Sequence, residues 1–184
     1  MQNRVILGID PGTNVMGYGA ISCNGSKVTL LSLGVIKLDK EPNHPLKLKA
    51  IFEQVTKLME NYKPDEVALE APFFGENVQS MLKLGRAQGV AMAAALVKDI
   101  PIFDYAPRKV KMSIAGSGNA SKEQVAAMLK NLLKIEALPK YLDATDGLAV
   151  AYCHFMQNNV GNNIGGKKAN GWAGFLKDNP GRLK

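Results

Sequence analysis

The chain has 184 residues, 46% hydrophobic and 21% charged, with a formal net charge of +7. Such a length and balance describe one globular domain able to bury a sizeable core, not a disordered or fibrous chain. The positive excess is uneven: residues 161–184 hold four Lys and one Arg against one Asp, which favours a polyanionic partner, nucleic acid before anionic membrane.

Cys23 and Cys153 are the two cysteines, and they have neither pairing nor metal-ligand spacing. A reducing, cytoplasmic setting is expected. No charged segment followed by an apolar run opens the sequence, so no signal peptide is expected. The most apolar stretch, 90–97, is mostly Ala and too short to span a bilayer.

In chain order, the continuous apolar run at 5–9 predicts a strand buried on both faces, ended by Asp10 and the Pro11-Gly12 turn signal. Strands at 17–22 and 28–38 follow, joined across Asn24-Gly25, a dipeptide whose two positions tolerate positive φ. These three form an antiparallel meander. Leu48, Ile51, Phe52, Val55, Leu58, Met59 and Tyr62 recur at helical spacing, with Pro45 suited to a first helical position. Pro64-Asp65 breaks that helix, and a short strand at 66–69 ends on Glu70. The segment 77–98 reads as a helix rich in small residues, with Gly85 and Gly89 four apart among alanines; packing on its own sheet is favoured over a subunit interface. A fifth strand is expected at 102–105, then an ordered surface loop over 108–120.

Ser121 and Gln124 make a capping-box pattern for a helix to Ile135. A last helix starts near Asp143 and reaches about Asn158. Beyond it lies a Gly/Asn/Lys-rich, flexible tail in which Trp172 and Phe175 are candidate anchors. The division expected is a domain over 1–158 and a basic tail over 159–184. The element order implies an α/β fold with a five-stranded mixed sheet, a three-stranded antiparallel meander plus two parallel strands, flanked by helices.

Four carboxylates draw attention within this order. Asp10 and Glu70 each end a buried strand, and sites in mixed sheets form beyond the carboxyl ends of central strands. Asp143 and Asp146 are three apart at a helix start and share a face, a position that capping and dipole compensation also explain. Gathered at one pole, four carboxylates repel one another unless cations neutralise them. Two divalent ions match the formal charge of four carboxylates, as in two-metal phosphodiester hydrolysis. Oxygen-only ligation selects Mg²⁺, or Mn²⁺ in its place. His154 lies on the face of Asp143 but roughly 16 Å along the helix, too far to share the site.

The blocks "ILGIDPGTNVMGYGAI", "VALEAPFFGENVQSMLKLGRAQGVA", "YAPRKVKMSIAGSGNASKEQV" and "DATDGLAVAYCH" resemble, in order, the four signature blocks of the bacterial Holliday junction resolvase family RuvC. The resemblance runs from about Arg4 to Phe155. It implies an RNase H-like fold and a homodimer that nicks two opposing strands of a four-way DNA junction, leaving 5′-phosphate and 3′-hydroxyl ends. It makes Asp10, Glu70, Asp143 and Asp146 the catalytic, metal-binding quartet. By the same correspondence Phe73 engages bases at the junction centre, and Lys111 and Lys122 stand near the scissile phosphate. RuvA and RuvB are the implied partners.

The residue types agree with these roles. Phe73 and Phe74 sit in a loop beside the acidic site, and stacking on an unpaired base contributes roughly 1–3 kcal/mol. Lys122 opens a helix whose N-terminus attracts phosphate, and Arg86 is a phosphate candidate from its helical position. Other readings stay open at this stage. "DPGT" with Gly17 and Gly19 also looks like the phosphate loop of actin-like ATPases, although no second loop is present. A YqgF-type RNA-processing nuclease and a catalytically silent DNA-binding module are further alternatives.

Overall fold

The computed structural model describes residues 3–72 and 77–163. Five strands form one sheet: β1 (Arg4–Asp10), β2 (Val15–Asn24), β3 (Lys27–Lys37), β4 (Glu66–Glu70) and β5 (Ile102–Tyr105). Their spatial order is β3-β2-β1-β4-β5. β1–β2 and β2–β3 pair antiparallel, while β1–β4 and β4–β5 pair parallel. This is the expected meander with two parallel additions. β1 and β4 are therefore central, which is why both read as apolar on both faces.

Helices α1 (His44–Tyr62) and α2 (Val78–Leu96) cover one side of the sheet. There Leu7, Ile9, Val67 and Leu69 pack with Ile51, Val55 and Met59 of α1 and Ala87, Ala91, Ala94 and Ala95 of α2. Helices α3 (Pro107–Ala115), α4 (Lys122–Leu133) and α5 (Asp143–Asn163) cover the other, enclosing Ile6, Ile21 and Ala68 with Val110, Val125, Leu129 and Leu148. No helix among the described residues is long and apolar enough to cross a membrane.

Three local expectations are revised. Residues 108–120 are not a loop throughout: α3 occupies 107–115, entered by Pro107 at a first helical position and stopped by Gly116 at φ 71°. Its buried face has only Val110 and Ile114, too few apolar positions to betray a helix amid Arg108, Lys109 and Lys111. The β2–β3 hairpin turns at Gly25-Ser26, since Asn24 pairs with Lys27. Gly25 takes the positive φ, 59°, at the first turn position, so one glycine suffices, as in a type II′ turn. The small residues of α2 divide: Ala87, Ala91, Ala94 and Ala95 face the sheet, whereas Ala93 is exposed and a Cβ added at Gly85 or Gly89 would meet open space.

The capping box of α4 forms as expected, Gln124 N donating to Ser121 Oγ and Ser121 N to Gln124 Oε1. Both cysteines are free and buried. α5 continues to Asn163 rather than stopping near Asn158. Trp172 and Phe175 lie outside the described residues.

Candidate active site

Ile9 of β1 and Leu69 of β4 are partners in the parallel register, so Asp10 and Glu70, one residue further on each strand, end side by side. The same strand interiors that exclude water hold both carboxylates against the core. α5 supplies the other two, and glycines decide how near it comes. A Cβ at Gly8 would collide with the backbone of Gly147 and Ala151, one at Gly17 with Asp143 O, and one at Gly147 with Gly17 and Tyr18. The helix thus lies directly on the backbones of β1 and β2, which places Asp143 and Asp146 over the end of β1. Gly17 and Gly19, the residues that suggested an ATP loop, are occupied by this packing.

The electrostatics follow from the crowding. Burial, then the charges of Glu70 and Asp146, raise the Asp10 carboxyl to about 8. Burial and Asp146 raise Glu70 to about 7 against the opposing pull of Lys122 and Lys111. Burial also raises Asp146, with Lys122 working against it. The Lys122 ammonium lies 2.5 Å from Asp146 Oδ2 and 3.5 Å from Asp143 Oδ1. Its burial disfavours the charge, but the hydrogen bond and charges of these aspartates outweigh that and hold its pKa up.

Two clefts meet at Asp10 and Glu70. One is walled by Pro11, Ala71, Pro72 and Leu84. The other is bounded by Val110, Lys111, Lys122, Val125, Asp146 and Ala149. Lys111 reaches this second cleft from α3, the helix that sequence patterning missed. Arg86 is exposed on α2 and lines neither cleft. Phe73 and Phe74 lie outside the described residues.

The donor chemistry fits hard divalent cations: oxygen ligands only, in a field short of positive charge. Among the described residues, no group of three or more His, Cys, Asp or Glu side chains is drawn together tightly enough to hold an ion at once. In this arrangement Lys122 holds the two α5 carboxylates.

The histidines stand elsewhere. His154 is fully buried, with Nδ1 2.6 Å from Tyr105 Oη and Nε2 2.9 Å from Glu66 Oε2. A neutral ring with its proton on Nε2 satisfies both partners, and burial lowers its pKa while Glu66 opposes. One contributor escaped sequence reading. Lys47 of α1 donates to Thr13 O at 3.0 Å and Asn14 Oδ1 at 2.7 Å, clamping the turn that follows Asp10. Nothing local in the sequence signals a contact across that separation.

Comparison with known proteins points to one family. The model of the family described as crossover junction endodeoxyribonuclease RuvC matches residues 6–154. The crossover junction endodeoxyribonuclease RuvC of Cytophaga hutchinsonii is 58% identical over 182 residues, 99% of this chain and 89% of its own length. That of Bacteroides fragilis is 56% identical over 186 residues, covering 100% of this chain and 98% of its own. Among solved structures, Thermus thermophilus RuvC in complex with Holliday junction substrate superposes with a TM-score of 0.79 at 31% identity, covering 86% of this chain and 96% of that one.

Proposed function

Because the chain belongs to the RuvC family of crossover junction endodeoxyribonucleases, we propose that it resolves Holliday junctions by nicking two opposing strands symmetrically, leaving ligatable 5′-phosphate and 3′-hydroxyl ends. It is a DNA-hydrolysing endonuclease of recombination and repair, divalent-metal-dependent as its family implies. The observation that carries the residue-level reading is the register of β1 and β4, which sets Asp10 beside Glu70 beneath Asp143 and Asp146.

In this reading Asp10, Glu70, Asp143 and Asp146 hold two Mg²⁺ ions, with Mn²⁺ able to replace them. Bound there, the ions supply positive charge that polarises the scissile phosphate and makes water a better nucleophile. The chain's own residues do the rest. Asp10 and Glu70, common to both clefts, stand side by side at the strand ends. Lys111 and Lys122 present ammonium groups that neutralise the phosphate as negative charge develops. Val110, Val125 and Ala149 give that cleft an apolar floor, which strengthens every charge above it. Phe73, with Phe74, stacks on bases at the opened junction centre, and Arg86 contacts backbone phosphate.

Paired nicks call for a homodimer. Exposed Leu96 and Val97 beside Gly89 and Ala93 at the C-terminal half of α2 support that helix as the contact. The reading further includes cytoplasmic action with RuvA and RuvB, and a basic tail at 159–184 separate from the nuclease domain.

The test is a gel assay with four-way, Y-shaped and linear duplex DNA in Mg²⁺. Symmetric nicks confined to the four-way substrate are expected, and Asp10→Asn is expected to abolish them while junction binding persists. Cleavage retained by Asp10→Asn overturns the assignment of the carboxylates.

A further inference from the structure

The cleft in which Asp10 and Glu70 meet Lys111 and Lys122 has basic residues on its α3–α4 side. Three more cations stand on the α1–α2 side of the site, outside the lining of the clefts. Leu84 of α2 walls the cleft shared with Asp10 and Glu70, and its neighbours Lys83 and Arg86 are exposed. Lys47, in the first turn of α1, faces the same region, and its two hydrogen bonds go to neutral acceptors that leave its charge uncancelled. His44, which opens α1, senses all three: burial lowers its pKa, and the charges of Arg86, Lys83 and Lys47 lower it further. Among the described residues no carboxylate forms an ion pair with Lys47, Lys83 or Arg86. No acidic side chain stands in the first turn of either helix.

We propose that Lys83 and Arg86, backed by Lys47, form a second phosphate track on the α1–α2 flank of the catalytic cleft, one that seats a duplex arm next to the nicked strand. The inference rests on the reading of the chain as a junction nuclease and adds to it a direction for the DNA. A strand whose scissile phosphate lies at Asp10 must leave the cleft on one side or the other. Uncompensated cations close together repel, and a polyanion relieves them. Backbone contacts of this kind position the duplex without reading its sequence. The occupant is therefore double-helical backbone, and the scissile phosphate remains with Lys111 and Lys122.

The test is binding of a fluorescently labelled four-way junction to the full chain across a KCl series, without added divalent ion so that no cleavage intervenes. Each lost phosphate contact flattens the dependence of log K on log salt by about 0.9. Lys83→Gln is expected to reduce the slope by about 0.9 and Lys83→Gln/Arg86→Gln by about 1.8. Lys57→Gln, an exposed lysine further along α1, removes the same charge and is expected to keep the wild-type slope. Unchanged slopes in the Lys83 and Arg86 variants overturn the proposal, as does equal flattening by Lys57→Gln. If the wild-type chain resolves four-way DNA and the variants bind as it does, the phosphate track alone fails. If the wild-type chain neither binds nor nicks four-way DNA selectively, the junction reading fails with it.

Discussion

Asp10 follows Ile9, a fully enclosed residue, and burial, with the charges of Glu70, Asp146 and Asp143 added to it and Lys122 opposing, sets its carboxyl near 8. A carboxyl whose folded pKa exceeds its unfolded value keeps its proton in the folded state over a pH range where the unfolded chain has lost it. Folding stability then falls as pH rises from about 4 to about 8. Asp10→Asn removes this penalty. Without divalent ions, its urea-unfolding free energy should match wild type near pH 4 and exceed it by about 1–3 kcal/mol at pH 8, where one pKa unit corresponds to about 1.4 kcal/mol. Adding Mg²⁺ should reverse the order at pH 8, because a ligand that binds only the folded wild-type site stabilises only that chain. A constant difference across pH would show that Asp10 is not held in its neutral form. At this scale Asp10 and Glu70 were legible as candidates, since burying a carboxylate at the end of a core strand is costly unless a cation or proton compensates it. Lys47 was not legible, because its partners Thr13 and Asn14 are joined to it only by the fold.

Among the elements, α5 carries two of the four carboxylates proposed to hold metal, and glycines determine its seat. A glycine inside a helix ordinarily costs roughly 1 kcal/mol relative to alanine, so propensity alone predicts that Gly147→Ala stabilises. The structure predicts the opposite sign, because the new Cβ would meet the backbone of Gly17 and Tyr18. Overpacking against backbone costs about 1–3 kcal/mol or more, and relief comes only by lifting α5 away from β1 and β2. Gly147→Ala should therefore lower the midpoint of thermal unfolding and slow nicking together, by moving Asp143 and Asp146. A stabilised variant with full activity would refute this seating of the helix. The missed helix α3 makes the complementary point. Nine residues with two buried positions carry too little periodicity to be read, yet the element aims Lys111 into the cleft.

For the whole molecule, the proposed twofold assembly gives a further expectation. Val97 is 74% exposed and Leu96 59%, which with Val78 makes them the most exposed large apolar side chains among the described residues. If they cover each other in a homodimer, Leu96→Glu places a charge in a dry contact, where its desolvation costs several kcal/mol. Sedimentation should then show a dimer for wild type and a monomer for Leu96→Glu with an unchanged circular dichroism spectrum. Single rather than paired nicks on four-way DNA should accompany the change. Equal dimerisation of both chains would move the contact elsewhere.

Hydrophobic patterning by itself determined the strand set and the mixed sheet and set Asp10 and Glu70 at two strand ends, because continuous and helical apolar runs differ in what they bury. Motif order then identified the family. Tertiary structure alone decided that Asp10 and Glu70 end adjacent strands, that Gly8, Gly17 and Gly147 admit α5 instead of a nucleotide, and that Lys122 sits between Asp143 and Asp146. Each of these is a distance between residues far apart in the chain. Local spacing determines which face a side chain takes; only packing determines which other face it meets.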